Sequence, residues 1–596
     1  MQEYAEPPVL PDITNGNLTD RLLESEKTAA DTPAVSLPDG DGWRNLSCAE
    51  FAAEVRAVAR GLMASGVQFG DRVGIMSRTR YEWTLVDFAL AYAGAVSVPI
   101  YETSSAEQVA WILSDSGAVG VFLELDRHEA LFDQVRADLP DVTRTWVFEA
   151  GSLDDLAASG AAITDEQLEE RRCQASPDDV ATIIYTSGTT GRPKGCVLTH
   201  RNLIFAGDIV MASAPELFVP GQSSLLFLPL AHSFGRQIGI ACIRGRIQLG
   251  HTPDAGDLLH DLGTFAPTFV LAVPRVFEKV YNGAQAKATA EGRGRIFDAA
   301  SQVAIDYSRA LDSAGPGLFL RAKHFLFDKL VYAKLRAAMG GNVEYAVSGG
   351  APLGERLGHY FRGIGITILE GYGLTENMAG TTMNRPDTLK IGTVGKPFPG
   401  TAVRIADDGE VLLKGPHVFR GYWNNPQATA EALEPDGWFH TGDIGQLDDE
   451  GFLRITGRKK ELIVTAGGKN VAPAVLEDRL RAHSLVSQCM VVGDAKPFIA
   501  CLVTLDEESL PGWLAQKGRP GSTSVADLVT DPQLVAEIQS AVDDANKAVS
   551  KAESIRKFKI LPQDWTEAAG QITPSLKLKR DTVMAEFADE VESLYT

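Results

Sequence analysis

The sequence predicts an α/β protein: a large N-terminal domain of parallel-rich sheets layered with helices, a small antiparallel sheet or β-barrel, and a smaller α+β C-terminal domain. Three observations carry that expectation. Short apolar runs end in glycine turns at Val180 to Tyr185, Val343 to Val347 and Ile364 to Leu369, the pattern of buried strands whose C-terminal loops are glycine-rich. Helical patterns lie between them, as in Arg321 to Met339, where Leu326, Leu330, Ala333 and Ala337 share one face. From about Gly392 to Trp423 the texture changes to short strand-like pieces punctuated by Gly and Pro, which favours the small antiparallel sheet or barrel. Strands alternating with helices imply parallel sheets, whose ligands gather at the C-terminal ends of the strands. The three glycine loops are therefore expected to meet at one site.

A chain of 596 residues exceeds the size of one hydrophobic core. A boundary near Lys460 divides it into 1–459 and 460–596, because mixed strands and helices return after the stretch GRKKELIVTAGGKNVAP at 457–473. Pro511 to Ser524 is polar and rich in Gly, Pro and Ser and is expected to be a surface loop. The net charge of -22 and pI near 5.0 argue against a nucleic-acid partner, since phosphate binding needs clustered basic charge. Six scattered cysteines form no C-x-x-C pair, so neither a disulfide framework nor a zinc knuckle is indicated. No run of 18 apolar residues occurs, and Met1 to Asn15 has no basic segment followed by an apolar one. These features point to an acidic cytoplasmic enzyme.

The stretch YTSGTTGRPKG at 185–195 follows the first apolar run. Its small residues let backbone N–H groups approach an anion, Ser187, Thr189 and Thr190 add hydroxyl donors, and Lys194 adds a positive charge. It is not a Walker A loop, because Gly191 is followed by Arg192-Pro193-Lys194-Gly195. Asp443, in the tight turn Thr441-Gly442-Asp443, is suited to accept two ribose hydroxyls. Glu376 follows a glycine turn and offers oxygen to a hard cation, and ATP brings Mg²⁺ held by few protein oxygens and by phosphates.

With these residues in view, the chain resembles the adenylate-forming superfamily, which includes acyl-CoA synthetases, luciferases and the adenylation domains of peptide synthetases. The motifs GVQFGDRVGI (66–75), LPLAHSF (228–234), GYGLTE (371–376), TGD (441–443) and GRKKE (457–461) and the lysine motif around Lys577 occur in family order over roughly residues 45 to 580. The resemblance implies ATP, Mg²⁺ and CoA as cofactors and co-substrates. It implies a phosphate loop of Thr186, Ser187, Gly188, Thr189, Thr190, Gly191 and Lys194, with Gly350, Ala351 and Pro352 against the adenine. Gly371, Tyr372, Gly373 and Thr375 would line the nucleotide, with Tyr372 stacked on the base. Asp443 and Arg458 would take the ribose, and Thr186 and Glu376 the magnesium.

By the same resemblance Lys577 is the catalytic lysine that reaches from the small domain to the carboxylate and α-phosphate, and His232 lies near the acyl carboxylate. The small domain is implied to be mobile, turning about Lys460, with Gly467 beside the pantetheine path. Two departures stand out. Many members read Ser-Gly-Lys where this chain reads Ser575-Leu576-Lys577, which leaves Lys579 as a competing lysine. Val464 replaces a frequent Lys and is assigned no nucleotide contact.

Between Glu216 and Asp254 no acid occurs, and His232, Phe234, Arg236, Arg244 and Arg246 lie among apolar residues. Such a segment does not repel a carboxylate and offers nothing to a substrate ammonium, which disfavours an amino-acid substrate; a buried helix and strand with few charges explains it equally well. The segment Lys279 to Arg336 is helical in texture and carries ten Lys/Arg against five Asp/Glu. An insertion of this type resembles long-chain acyl-CoA synthetases, and with Phe319, Phe325 and Phe327 it suits peripheral contact with an anionic membrane surface at its inner face. A solvated helix face is the alternative. The resulting expectation is a long-chain fatty acid:CoA ligase that forms acyl-AMP and pyrophosphate, then acyl-CoA and AMP. The alternatives are a ligase that delivers to a carrier-protein phosphopantetheine and a non-catalytic acyl or nucleotide sensor.

Overall fold

The computed structural model describes residues 1–186, 192–254, 256–467, 469–521, 523–573 and 577–596. Among the described residues, two large sheets dominate the chain before Lys460. The nine-stranded sheet has six central strands paired in parallel, Pro33–Asp39, Ser223–Leu226, Gln248–His251, Phe269–Ala272, Tyr345–Ser348 and Thr367–Tyr372. Continuous burial of Ala346, Val347 and Ser348 fits a parallel strand covered on both faces. Ser348 stands opposite Glu370, so the loops that leave these two strands emerge together. The seven-stranded sheet contains Val180–Thr186, parallel to Val96–Ile100 and antiparallel to Lys194–Thr199. That hairpin sets Thr186 opposite Lys194.

The antiparallel piece expected from Gly392 to Trp423 is distributed over three sheets. Lys396–Pro397 extends the nine-stranded sheet and Gly421–Tyr422 pairs with Lys194–Thr199. The half-barrel itself is made of Ala402–Ile405, Glu410–Lys414, Phe439–Leu447 and Leu453–Arg458, joined by Glu3–Ala5. Both two-residue strands thus extend the edges of larger sheets.

Beyond Lys460 lie a short hairpin, Ile463–Val464 with Asn470–Val471, and a three-stranded sheet of Val486–Val492, Ile499–Leu505 and Ile555–Ile560. Two apolar clusters belong to this part, one running from Ile463 to Ile560 and one from Met490 to Leu594. Pro511 to Ser524 is not the uninterrupted surface loop expected: Leu510–Gln516 is a helix that buries Trp513 and Leu514. Pro511 occupies its first turn, where a missing N–H is tolerated. The six cysteines form no disulfide, and five are buried.

The segment from Lys279 to Arg336 lies within helices Pro274–Ala290, Gly294–Leu311, Leu318–Phe327 and Ala333–Ala338, the last two joined by a π-helical turn at Asp328–Tyr332. The face shared by Leu326, Leu330, Ala333 and Ala337 is turned to solvent, and Phe327, Val331 and Leu335 pack inward around fully buried Tyr332. No helix among the described residues is long and apolar enough to cross a membrane.

Candidate active site

Glycine permits the close approach of the loops that leave the parallel strands. A Cβ at Gly349 would lie 3.2 Å from Cζ of Phe234 and 3.4 Å from the Gly371 carbonyl, so three segments touch at this point. At Gly373 a Cβ would come within 1.6 Å of the Ala379 carbonyl oxygen, which excludes every other residue. Gly350 takes φ +82° and exposes Ala351 and Pro352 at the loop tip. Behind the tip the Leu353 N–H donates to Glu370 at 3.0 Å. Burial pushes the Glu370 carboxyl up to about 7, and the Leu353 N–H opposes that shift. Sequence reasoning missed Glu370 because its burial depends on elements distant in the chain.

His232 precedes helix Ser233–Gly245, and its Nδ1 accepts the Phe234 N–H at 3.2 Å. Burial, with the charge of Lys577 added, lowers the imidazole to about 3. The ring is therefore neutral near pH 7, and with Nδ1 accepting, the proton sits on Nε2.

The half-barrel register sets Asp443 opposite Arg458. Asp443 is only 4% exposed. It accepts the Tyr372 hydroxyl at 2.7 Å and pairs with Arg458 Nε at 3.1 Å. Its own N–H donates to Thr441 Oγ1 at 3.0 Å, fixing the turn. Burial and the adjacent Asp443 carboxylate push the Tyr372 phenol well above its ordinary value. Tyr372, expected beside adenine, is thus also a donor to the carboxylate expected at the ribose.

Thr375 and Glu376 begin a short 3₁₀ turn, Thr375–Asn377. Glu376 Oε1 accepts the Tyr422 hydroxyl at 2.8 Å, and the Glu376 carbonyl accepts the Phe419 N–H at 2.7 Å. Lys194 Nζ stands 5.1 Å from the centre of the Tyr422 ring. Tyr422 therefore stands between Glu376 and Lys194, a link invisible in the sequence pattern because Gly421–Tyr422 becomes a strand only by pairing with Val197 and Cys196. Thr186 ends its strand with Oγ1 3.5 Å from the Lys194 carbonyl. Ser187, Gly188, Thr189, Thr190 and Gly191 lie outside the described residues.

The Lys577 N–H donates to Thr573 Oγ1 at 3.0 Å and its carbonyl accepts the Thr573 N–H at 2.8 Å. Lys577 is exposed to solvent, and desolvation by the protein around it lowers its ammonium pKa. Arg458 adds to that shift, and Asp443, Glu376 and Glu461 work against it. Lys577 thus belongs to the same charge cluster as Arg458, Asp443, Glu376 and His232. Lys579 instead precedes helix Arg580–Glu586, its N–H donating to the Gln571 carbonyl.

Lys460 lies in an exposed 3₁₀ turn, Lys459–Glu461, between the half-barrel and the C-terminal hairpin. Gly467 is exposed at the hairpin turn, and the nearest atom to a Cβ there is Thr465 Oγ1 at 3.9 Å. No contact joins Gly467 to the Asp443 cluster among the described residues. Polar contacts cross between the two parts of the chain: Arg275 with Asp506 at 2.9 Å and Lys279 with Glu508 at 3.2 Å.

The basic residues of the acid-free interval have structural partners. Arg236 is fully buried against Asp87 at 2.6 and 3.0 Å, with Thr182 and Ser97 taking its other donors. Arg244 pairs with Asp208 at 2.7 Å, and Arg246 donates to Ser25 and Thr28. Acids on other helices serve Arg236 and Arg244, so those two arginines are not open to a substrate carboxylate. Of the interval, His232 feels the charge of Lys577 and Phe234 packs beside Gly349.

No group of three or more His, Cys, Asp or Glu side chains forms a metal cage among the described residues. A cation here would be held by Glu376, a hydroxyl and the ligand it arrives with, which fits Mg²⁺ carried by a nucleotide.

A parallel α/β body with a carboxylate–arginine–lysine cluster at the strand ends defines a nucleotide-dependent enzyme. The pattern of AMP-binding enzymes matches residues 23–423 and that of the AMP-binding enzyme C-terminal domain matches 460–596; the chain belongs to this family. It is 53% identical to the long-chain-fatty-acid–CoA ligase FadD15 of Mycobacterium bovis over 599 residues, covering 100% of both chains. It is 31% identical to the long-chain-fatty-acid–CoA ligase ACSBG2 of Xenopus laevis, covering 98% of this chain and 84% of the relative. Among solved structures it is similar to the anthranilate CoA ligase AuaEII in complex with anthranoyl-AMP, at TM-score 0.73 and 20% identity over 97% of this chain and 98% of that one. It is also similar to a Mycobacterium tuberculosis fatty acyl CoA synthetase, at TM-score 0.63 and 24% identity over 96% and 99%. At these identities the solved structures speak for the fold alone.

Proposed function

We propose that this chain is a long-chain fatty acid:CoA ligase of the AMP-forming type, acting in the cytoplasm and peripherally at the membrane. The observation that carries its chemistry is the geometry at Asp443, which accepts the Tyr372 hydroxyl at 2.7 Å and pairs with Arg458 at 3.1 Å within the electrostatic reach of Lys577. The full-length likeness to long-chain ligases supplies the acid and the thiol.

In the first half-reaction a carboxylate oxygen attacks the α-phosphorus of ATP and pyrophosphate leaves. Repulsion between the two anions is the obstacle, and positioning with cationic stabilisation is the remedy. Lys577 supplies that cation, and neutral His232 offers an Nε2–H to the acyl carboxylate. Asp443 and Arg458 hold the ribose, with Tyr372 fixing Asp443 on one edge while its ring flanks the base beside Gly350, Ala351 and Pro352. Gly371, Gly373 and Thr375 shape this wall. Lys194 and the hydroxyls of the 186–191 stretch take the phosphates, and Glu376 with Thr186 holds Mg²⁺ that arrives with ATP. In the second half-reaction the CoA thiolate attacks the acyl carbon and AMP leaves. We assign 1–459 to the nucleotide and acyl body and 460–596 to a lid that turns at Lys460 and withdraws Lys577, bringing Gly467 toward the pantetheine.

The test is AMP formation from Mg-ATP with saturated acids from acetate to stearate, with and without free CoA, alongside Lys577→Ala. CoA-dependent AMP with a long-chain optimum, lost in the variant, is expected. Pyrophosphate exchange without CoA-dependent turnover would replace free CoA by a carrier protein, and absence of both would leave a sensor.

A further inference from the structure

We propose that the outer face of the helical segment 318–338 docks on anionic phospholipid bilayers; this rests on the ligase reading only for its purpose, the supply of acyl chains. Leu318 is 86% exposed, Phe319 74%, Phe325 63%, Leu326 55% and Leu330 50%. Folding leaves this stripe uncovered although the segment is firmly seated by its opposite face. There Phe327, Val331 and Leu335 pack on the core, the Tyr332 hydroxyl donates to the Ala300 carbonyl at 2.7 Å, and His324 Nε2 donates to the Gly363 carbonyl at 2.6 Å. The stripe is thus apolar surface presented by a fixed scaffold. Contiguous exposed apolar surface on a water-soluble body marks an interaction site.

Charge selects the occupant. The chain carries a net -22, yet Arg321, Lys323, Lys329 and Lys334 stand beside this stripe with no acidic partner among the described residues. Arg336 is the paired exception, with Asp328 at 2.7 Å. Lys323 lies 4.5 Å from the Phe319 ring centre and Lys329 4.7 Å from that of Phe325. Cations set around aromatic and aliphatic side chains on one side of a helix are what an interfacial helix presents, rings entering the acyl boundary and ammonium groups meeting lipid phosphates. A second copy of this chain is disfavoured, because a two-fold contact across the stripe would set these cations against themselves. The segment lies in the plane of the interface, since no described helix is apolar enough to cross it.

The experiment is co-sedimentation of the full chain with vesicles of phosphatidylcholine, with and without phosphatidylglycerol. Binding is expected on the mixed vesicles, weak on phosphatidylcholine alone and reduced by salt. The variant Phe319→Ser/Phe325→Ser/Leu326→Ser is expected to lose binding by about tenfold or more, and Lys323→Glu/Lys334→Glu by a similar factor. Both changes lie on exposed residues outside the catalytic cluster, so AMP formation from an acid short enough to dissolve freely is expected to stay at the wild-type rate. Binding without any ligase activity would sink the ligase reading and leave the docking surface standing. Equal binding to both vesicles, no binding, or wild-type binding by the triple variant would overturn the proposal, as would a dimer that the triple variant dissociates.

Discussion

Two buried aspartates, each paired with an arginine, have opposite designs. Asp87 meets Arg236 inside the body, where Thr182 and Ser97 take further guanidinium donors and both side chains are sealed from water. Asp443 meets Arg458 at the strand ends, where the arginine side chain is 45% exposed and Lys577 adds a second cation. The first pair is closed on itself and serves the fold. The second keeps a guanidinium half-exposed to solvent with donors to spare, as a ligand site requires. A buried carboxylate is thus read by whether its partners are themselves satisfied.

The largest effect is expected from opening the closed pair. Asp87→Ala leaves Arg236 charged and unpaired, at a cost of about 3–5 kcal/mol, to be seen as a lower thermal midpoint and poor soluble yield; an unchanged midpoint would remove the contrast. Next, Lys577→Ala is expected to lower AMP formation by about 10²–10³-fold with the midpoint retained. Because desolvation lowers the Lys577 pKa, adenylation in the wild type should fall with rising pH earlier than an ordinary lysine would dictate.

Titration gives a third test. Burial lowers His200 to about 4 and His251 and His417 to about 3. The unfolded chain takes up these protons first, so the stabilising contribution is whole above about pH 6.5 and is lost as pH falls toward the folded values. Each group should add a slope of about 1.4 kcal/mol per pH unit in that window, measured as the midpoint at pH 7 and pH 5. A midpoint independent of pH there would refute it. Finally, Tyr422→Phe removes the donor that fixes Glu376. It is expected to raise KM for Mg-ATP about fivefold, within the value of one hydrogen bond to a charged group, and to leave the fold intact; an unaltered KM would show Glu376 held without it.

Much of the fold was legible because strands buried on both faces read as apolar runs and their glycine loops follow at once. The motif residues Glu376, Asp443, Arg458 and Lys577 were named from sequence, and the structure draws them together. What escaped depends on distant pairing. Tyr422 acquires its role through a two-residue strand, and Arg236 acquires an acid from a helix far earlier in the chain. The stripe of Leu326 and Leu330 was legible but its direction was not, since periodicity locates an apolar face without saying which of two rival faces the core accepts. Pro511 misled because proline opens helices as readily as it breaks them.

The pairing of Glu3–Ala5 with Ala402–Ile405 has a consequence for the order of events at the ribosome. A strand made among the first residues finds its partner only after about four hundred more have been joined. At about 5–20 residues per second, that strand waits roughly 20–80 s with its edge open. The half-barrel that carries Asp443 is therefore among the last parts of the body to close, and the nascent chain completes its parallel sheets before Asp443 meets Arg458.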